Sequence, residues 1–320
     1  MSIRVLAPGL LTTIQDLGRH GSRHLGVGNA GALDSYSHSV ANLLAGNPIN
    51  APTLEITLAG PRLAFESAAV IALCGAQFDA SIDGIAMPGW RRVRVPAGAL
   101  LEFGACRGGA RAYLAVAGGF VVDSILGSAS TDLRGGFGGL DGRALAAGDV
   151  LAMTSVTRPN VIEIEIAPWW IDPSPDLDFA SPALIRVLPA SDPTSPADAL
   201  FKTHWRVSSA SNRQGLRLEG DALEIDDTRE RISEPVAPGT LQLPPDGLPI
   251  VLLADAQTHG GYPRIGHAIR ADWPGLAQLR AGDAVHFVPC TPAAARGARQ
   301  AQAQRLARIA VAVSARTQAS

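Results

Sequence analysis

Residues 250–263 read Ile250-Val251-Leu252-Leu253-Ala254-Asp255-Ala256-Gln257-Thr258-His259-Gly260-Gly261-Tyr262-Pro263. The four apolar residues that open this stretch are typical of a strand buried on both faces. Polar side chains that follow the end of a core strand, next to a Gly-Gly pair, are often found where small molecules bind. The stretch therefore predicts a β-rich core with a candidate site at its edge.

Alternation of apolar and polar residues, the period of a half-buried strand, recurs along the chain. It is present at residues 54–58, 92–95, 162–166 and 285–287. Turn pairs such as Pro-Gly, Asp-Gly and Gly-Gly fall between such runs. We therefore expect a mainly β fold of barrels or sandwiches with a few short helices.

A proline-rich segment divides the chain into two near-equal halves. Residues 168–182 contain four prolines among serine and aspartate residues, a composition typical of a linker. The Leu-x-x-Gly-Asp turn at 145–149 also recurs at 279–283, which suggests an internal duplication. We expect a first domain at 1–167, a linker at 168–182, a second domain at 183–292 and a C-terminal helix or tail at 293–320.

Three segments predict helices. Asp34 is a good N-cap for a helix that runs to about Ala45, where Gly46 ends it. Ser195, followed by proline, is a second helix start. The Ala-rich tail predicts a terminal helix or a frayed appendage.

Composition excludes several classes of protein. The net charge of -2, from 27 basic and 29 acidic residues, gives no basic field that would hold nucleic acid or an anionic membrane. No apolar run reaches the roughly 18 residues that a membrane helix needs. The three cysteines form no C-x-x-C pair, which fits a reducing compartment. The start of the chain also lacks the apolar run of a signal peptide, so we expect a cytoplasmic protein.

Cofactor motifs are absent from the sequence. No Walker loop, H-E-x-x-H or G-x-S-x-G motif occurs, and His20, His24 and His38 do not have the spacing of a metal site, so we expect no metal. Lys202 is the sole lysine, lies between Phe201 and Thr203, and lacks the methionines that typically flank a biotin-bearing lysine. We therefore expect no covalently bound cofactor.

Two segments combine polar side chains with glycines, which let a backbone approach a ligand closely. The first contains Gln15, Asp16, Arg19, His24 and Asp34. In this segment Asp16 and Arg19 are equally well explained as a loop brace or as ligand contacts.

The second segment is the loop after the apolar run, extended by residues upstream. Asp255 is a candidate general base or orienting carboxylate, or it holds its own loop. An arginine, Arg19 or Arg213, would suit a substrate carboxylate. The other candidates in this segment can donate or accept hydrogen bonds: Gln257, Thr258, Tyr262, Asn212 and Glu234. We expect both segments to face one cleft between the halves; the alternative is that each residue braces its own loop.

Motifs in both halves resemble one known family. They include Pro8-Gly9-Leu10-Leu11-Thr12-Thr13-Ile14-Gln15-Asp16-Leu17-Gly18-Arg19, Gly31-Ala32-Leu33-Asp34, Ser211-Asn212-Arg213, Ser233-Glu234-Pro235-Val236 and Gly260-Gly261-Tyr262-Pro263. In this order, over about residues 3–290, the chain is similar to the biotin-dependent carboxyltransferase-like family, whose members are also called allophanate hydrolase subunit 2 or the C subunit of 5-oxoprolinase. It departs from the family pattern at Ala129, Gln214, Leu216 and His259.

The resemblance implies two cyclophilin-like β-barrel domains with a site between them. It implies a subunit of an ATP-dependent complex that opens 5-oxoproline to glutamate, with a second cyclophilin-like subunit and a barrel-type subunit as partners. The chain alone would then be inactive. Two alternatives stay open: a carboxyltransferase for urea or another amide, using biotin carried by a partner, and a non-catalytic regulator that antagonises a kinase inhibitor.

The candidate residues of both segments divide into two predicted roles. Predicted catalytic residues are Asp255, Gln257, Tyr262 and Glu234. Predicted substrate-binding residues are Gln15, Arg19, His24, Asp34, Asn212, Arg213 and Thr258.

Overall fold

The computed structural model describes residues 1–154, 161–190, 197–224 and 232–318, so the helix start predicted at Ser195 lies outside the described residues. The first half contains one ten-stranded sheet. Its strands are β1 (Ser2–Ala7), β2 (Leu11–Gln15), β3 (Thr53–Thr57), β4 (Arg62–Phe65), β5 (Ala69–Ile82), β6 (Ile85–Ala86), β7 (Arg92–Val95), β8 (Leu100–Val116), β9 (Val150–Ala152) and β10 (Glu165–Ile166). The sheet branches because β8, 17 residues long, pairs along its length with β3, β4 and β5.

The second half contains a closed barrel and a separate pair of strands. Its strands are β11 (Ala183–Pro189), β12 (Trp205–Val207), β13 (Gly215–Glu219), β14 (Glu234–Pro235), β15 (Thr240–Gln242), β16 (Ile250–Leu252), β17 (His259–Gly260), β18 (Arg264–Ala268) and β19 (Ala284–Pro289). Seven of them close the barrel in the order β11-β18-β15-β16-β13-β12-β19, and β14 pairs with β17 outside it. The expected mainly β fold with few helices is confirmed.

The described ranges contain four α-helices: α1 (Ser35–Ala45), α2 (Ala197–Lys202), α3 (Trp273–Gln278) and α4 (Pro292–Gln318). Asp34 caps α1 as predicted, because its Oδ1 accepts from the backbone N–H of Ser37 at 2.8 Å. Gly46 ends the helix in the left-handed conformation, with φ of 89°. The alternation at 162–166 produces only the two-residue β10, because just Glu165 and Ile166 pair with β7; Ile162 lies on the surface, 84% exposed.

Each half has its own apolar core, and a third cluster lies outside both. The third cluster packs α1 against the sheet on one side and against α4 on the other, through Leu306, Ile309 and Val313. The C-terminal segment is therefore a packed helix. Residues 168–182 join the same cluster, since Trp169, Ile171, Leu177 and Phe179 pack there.

The repeated Gly-Asp turn adopts the same conformation in both halves. Gly148 and Gly282 have φ of 93° and 87°. The N–H of Gly148 donates to the carbonyl of Val5, and the N–H of Gly282 donates to that of Val207. Each aspartate carboxylate accepts a backbone N–H three residues before it. Similar sequence thus produces the same turn against an equivalent strand in each half.

His38 on α1 is fully buried and neutral. Its Nδ1 contacts Thr53 Oγ1 at 2.9 Å, and its Nε2 lies 3.3 Å from Asn42 Nδ2. Burial lowers the pKa of His38 to about 4.

We expect this histidine to make the fold sensitive to acid. Between about pH 6.5 and 4 the unfolded chain binds a proton at His38 that the folded chain does not, so the free energy of unfolding falls as pH falls through this window. The loss is on the order of 3 kcal/mol. Denaturant unfolding of His38→Gln should therefore depend less on pH between 6.5 and 4 than unfolding of the parent chain. The exposed His24→Gln serves as control, and an unchanged slope in His38→Gln would contradict the account.

Candidate functional site

Arg213 joins the two halves through a buried ion-pair cluster. Its Nε donates to Asp255 Oδ2 at 2.8 Å and its Nη2 to Oδ1 at 3.0 Å, while Nη1 donates to Glu55 Oε1. Nη2 also donates to the carbonyl oxygen of Gly31 at 2.8 Å. The three charged side chains are 5% exposed or less. Because Glu55 and Gly31 belong to the first half, this cluster connects the halves.

The surroundings shift the pKa values of the three charged side chains in this cluster in different directions. Burial lowers the pKa of Arg213, but the facing carboxylates outweigh it and raise the pKa above its ordinary value. Burial acts to raise the pKa of Glu55, but Arg213 and Arg111 outweigh it and hold the pKa below its usual range. For Asp255, burial outweighs Arg213, and with Glu55 nearby the pKa is raised. Burial and the nearby Glu55 carboxylate thus both act against the charged form of Asp255.

The cluster continues into α1 and α3 through polar side chains. The Tyr113 hydroxyl donates to Glu55 Oε2 at 2.8 Å and accepts from the backbone N–H of Asp34 at 2.8 Å. The Gln278 amide donates to Asp34 Oδ2 at 2.8 Å. Asp34 is fully buried, and both its oxygens are occupied, so the predicted substrate-binding residue holds the helix start in this structure.

Asp16 lies in a cradle of donors from the loop at 128–130. Its carboxylate accepts from the hydroxyls of Ser128 and Ser130, at 2.6 and 2.5 Å, and from the N–H groups of Ala129 and Gly18, both at 2.7 Å. Burial alone would raise the pKa of Asp16, but these hydrogen bonds lower it below its usual range. Asp16 therefore braces the loop as a carboxylate.

Arg19 contacts the same loop without pairing to Asp16. Its Nη2 donates to the Ser130 carbonyl at 2.6 Å, and its guanidinium lies 4.7 Å from the centre of the Phe137 ring. Arg19 is 1% exposed, and its Nη1 has no hydrogen-bond partner among the described residues.

Gly31 is the point where the two predicted segments meet. Its N–H donates to Gln15 Oε1 at 3.1 Å, and its carbonyl accepts from Arg213. Its φ is +93°, and a Cβ there would lie 2.8 Å from the Gly18 backbone, so only glycine fits. Gln15 and Arg213, both predicted from sequence, thus bind the N–H and the carbonyl of the same residue.

Arg23, which the sequence did not single out, provides a second connection between the halves. Its Nη2 donates to the backbone carbonyls of Val236 and Gln257, and its Nη1 lies 3.4 Å from Asn29 Oδ1. The Gln257 side chain instead lies 3.4 Å from Gln242 Oε1. The neighbouring His24, predicted to bind substrate, is exposed.

Several predicted residues lie outside the ion-pair cluster. Glu234 forms a surface ion pair with Arg264, and Thr258 contacts His259 Nδ1 at 3.0 Å. The side chains that the structure places at the surface are those of His24, Asn212, Glu234 and Tyr262. Their roles toward a substrate stay predictions.

A narrow cleft lies between the halves beside the ion-pair cluster. Its cavity volume is about 60 Å³, so an occupant must be small. The polar and aromatic lining residues are His20, Asn29, Ser35, Arg270 and Trp273. The apolar floor includes Leu33, Leu252 and Leu276. None was predicted as a site residue, although Leu33 and Ser35 flank Asp34, and Leu252 and Leu253 lie just before Asp255.

The described residues contain no group of three or more His, Cys, Asp or Glu side chains that could hold a metal ion. No helix in the described ranges is long and apolar enough to cross a membrane.

Comparison with known families identifies this architecture. The family model described as "Carboxyltransferase domain, subdomain A and B" matches residues 25–289. The chain belongs to this carboxyltransferase family. The resemblance found in the sequence is therefore confirmed.

Relatives of this carboxyltransferase-family chain fall into two groups. It is 42% identical to the 5-oxoprolinase C subunit of Escherichia coli (strain K12), over 94% of this chain and 95% of that protein. It is 35% identical to a putative urea carboxylase of Emericella nidulans, over 89% of this chain but 24% of that protein. The crystal structure of Kluyveromyces lactis urea carboxylase superposes with a TM-score of 0.88 at 29% identity, over 96% of this chain and 29% of that chain.

Proposed function

We propose that this chain is the C subunit of a 5-oxoprolinase, a complex that uses ATP to open the lactam of 5-oxoproline to glutamate. The observation that carries the proposal is the 42% identity to a subunit of that name across nearly the full length of both proteins. The Haemophilus influenzae protein of the same name adds 38% identity over 86% of this chain.

The junction between the halves suits the chemistry of a small amide. Attack on a lactam carbonyl requires hydrogen-bond donors where charge develops on the oxygen, in a site that excludes water. The cleft has donor side chains at His20, Asn29 and Ser35 above an apolar floor. The Arg213 cluster and the Arg23 contacts hold its two walls in place.

The proposed function also implies partner subunits. The Escherichia coli and Haemophilus influenzae relatives are named as subunits. The family resemblance implies a second cyclophilin-like subunit and a barrel-type subunit. We propose that the chain carries no covalently bound cofactor, that ATP is used by the complex, and that the chain alone does not turn over 5-oxoproline.

Carboxyl transfer to urea is the second candidate function. The 0.88 TM-score to the urea carboxylase structure favours it, but this chain spans only 29% of that protein. Biotin would then have to be carried by a partner, since Lys202 lies between Phe201 and Thr203 without flanking methionines.

The choice of substrate separates the two candidates. We expect the complex reconstituted from this chain and its two partner subunits to hydrolyse ATP when 5-oxoproline is added. When urea is added instead, with or without a biotinylated carrier protein and bicarbonate, the rate of ATP hydrolysis should stay at background. Stimulation by urea and carrier but not by 5-oxoproline would favour the carboxyltransferase instead.

A further inference from the structure

Arg270 is a cation at the cleft without a carboxylate partner among the described residues. It opens the short 3-10 turn Arg270–Asp272 and lines the cleft. The carboxylate nearest in sequence, Asp272, is bound by Arg186, whose Nε and Nη2 both donate to it. The fold thus pairs Asp272 elsewhere and leaves the Arg270 guanidinium available.

The surroundings of Arg270 favour an anion. Burial lowers the pKa of its guanidinium, and the positive charge of Arg299 lowers it further. Arg299 likewise has no ion pair in the part of the chain that the structure describes. Because both cations lack an acid partner there, an anion bound at Arg270 would offset their mutual repulsion.

Trp273 fixes the position of this guanidinium. The centre of its ring lies 5.2 Å from the guanidinium carbon of Arg270. Its Nε1 donates to the Ala268 carbonyl at 3.2 Å, and Gly239 packs so closely that a Cβ would lie 3.0 Å from the ring. The ring is therefore held rigidly beneath the cation.

Below Arg270 the cleft is apolar and thin. Leu33, Leu252 and Leu276 are 6% exposed or less and form its floor. A small flat ring of methylene groups would bury its carbon atoms there, while a charged substituent would stay near the mouth.

We propose that Arg270 binds the carboxylate of a small cyclic amide whose ring lies on this apolar floor. The inference rests on the proposed function and names the subsite for the carboxylate of 5-oxoproline. A planar guanidinium suits a carboxylate because two parallel N–H donors meet its two oxygens. The sequence predicted Arg19 or Arg213 for this role. Arg213 already has all its nitrogen atoms bonded within the protein. Arg19 is 1% exposed, and its Nε and Nη2 donate to the backbone carbonyls of Ile125 and Ser130.

The test is steady-state kinetics of the reconstituted complex with Arg270→Met and Arg270→Lys. Arg270→Met removes a charge-assisted contact to the substrate. It should therefore raise the KM for 5-oxoproline by about 10–100-fold, with a smaller change in kcat. Arg270→Lys should recover part of the affinity. Arg308→Met, an exposed arginine on α4, should keep the parental KM.

Ligand binding to the full chain provides a second measurement. By calorimetry, 5-oxoproline should bind more tightly than 2-pyrrolidinone, which has the same ring without the carboxylate, and Arg270→Met should abolish the difference. An unchanged KM in Arg270→Met, or equal affinity for both ligands, would overturn the inference. If 5-oxoproline does not stimulate ATP hydrolysis by the parental complex, the proposed function is contradicted instead.

Discussion

Replacing Arg213 by methionine should lower the free energy of unfolding by about 3–5 kcal/mol. The substitution removes the cation that binds both Glu55 and Asp255 in the interior, and it removes the donor that holds the Gly31 carbonyl. Removing one partner of a buried ion pair has a large effect because the remaining charge is still desolvated. Denaturant unfolding of the purified chain measures the change.

A matched surface pair is the control for this prediction. Arg264 pairs with Glu234 at the surface, where the side chains are 51% and 59% exposed. Arg264→Met should change stability by less than about 1 kcal/mol, because solvent screens the exposed pair. Arg213→Lys keeps the charge but cannot make all the contacts. Its loss of stability should therefore lie between those of Arg213→Met and Arg264→Met. Equal stability of Arg213→Met and Arg264→Met would contradict the role of the cluster.

The second large effect is expected on activity. Asp255→Asn should lower kcat/KM of the complex for 5-oxoproline by about 10–100-fold, since small displacements of a site have effects of this size. Asp255 orients Arg213, Arg213 holds Gly31, and the adjacent Ala30 and Ala32 line the cleft. Asp255 is thus assigned as a positioning residue.

The measurements must distinguish the loss of positioning by Asp255 from unfolding of the chain. The unfolding midpoint of Asp255→Asn and its binding to the partner subunits should be measured beside the kinetics. The pH profile of kcat/KM should also change, because the Asp255 carboxyl, whose pKa burial raises, is lost. Asp221→Asn, at an exposed position, is the control. A folded Asp255→Asn complex with parental kcat/KM would show that the cluster does not position the cleft.

Local features of the fold were predictable because short-range physics determines them. Asp34 caps α1 through a contact three residues away, and the Gly-Asp turns depend on glycines at positive φ. The alternation at 162–166 was misleading because alternation indicates a strand only where another strand pairs with it. The sequence shows the pattern but not the pairing.

The site was predictable in part. The polar segments around Gln15 and Asp255 do meet at Gly31, through hydrogen bonds that no local pattern reveals. Arg213 and Glu55 are separated by 158 positions in the chain, so their pairing depends on how the halves dock. The cleft residues Arg270 and Trp273 lie beyond the polar segment that was predicted from sequence, which ends at Pro263. Only the folded arrangement shows that Asp272 is paired with Arg186.

The rate of 5-oxoproline-dependent ATP hydrolysis, with this chain present or omitted, tests the assignment most directly. The two partner subunits are mixed at fixed concentration, and this chain is titrated into them. We predict background rates for the chain alone and for the partners alone, and a rate that rises with added chain until it saturates at a fixed stoichiometry. A full rate without this chain, or no 5-oxoproline-dependent rate at saturation, would contradict the account.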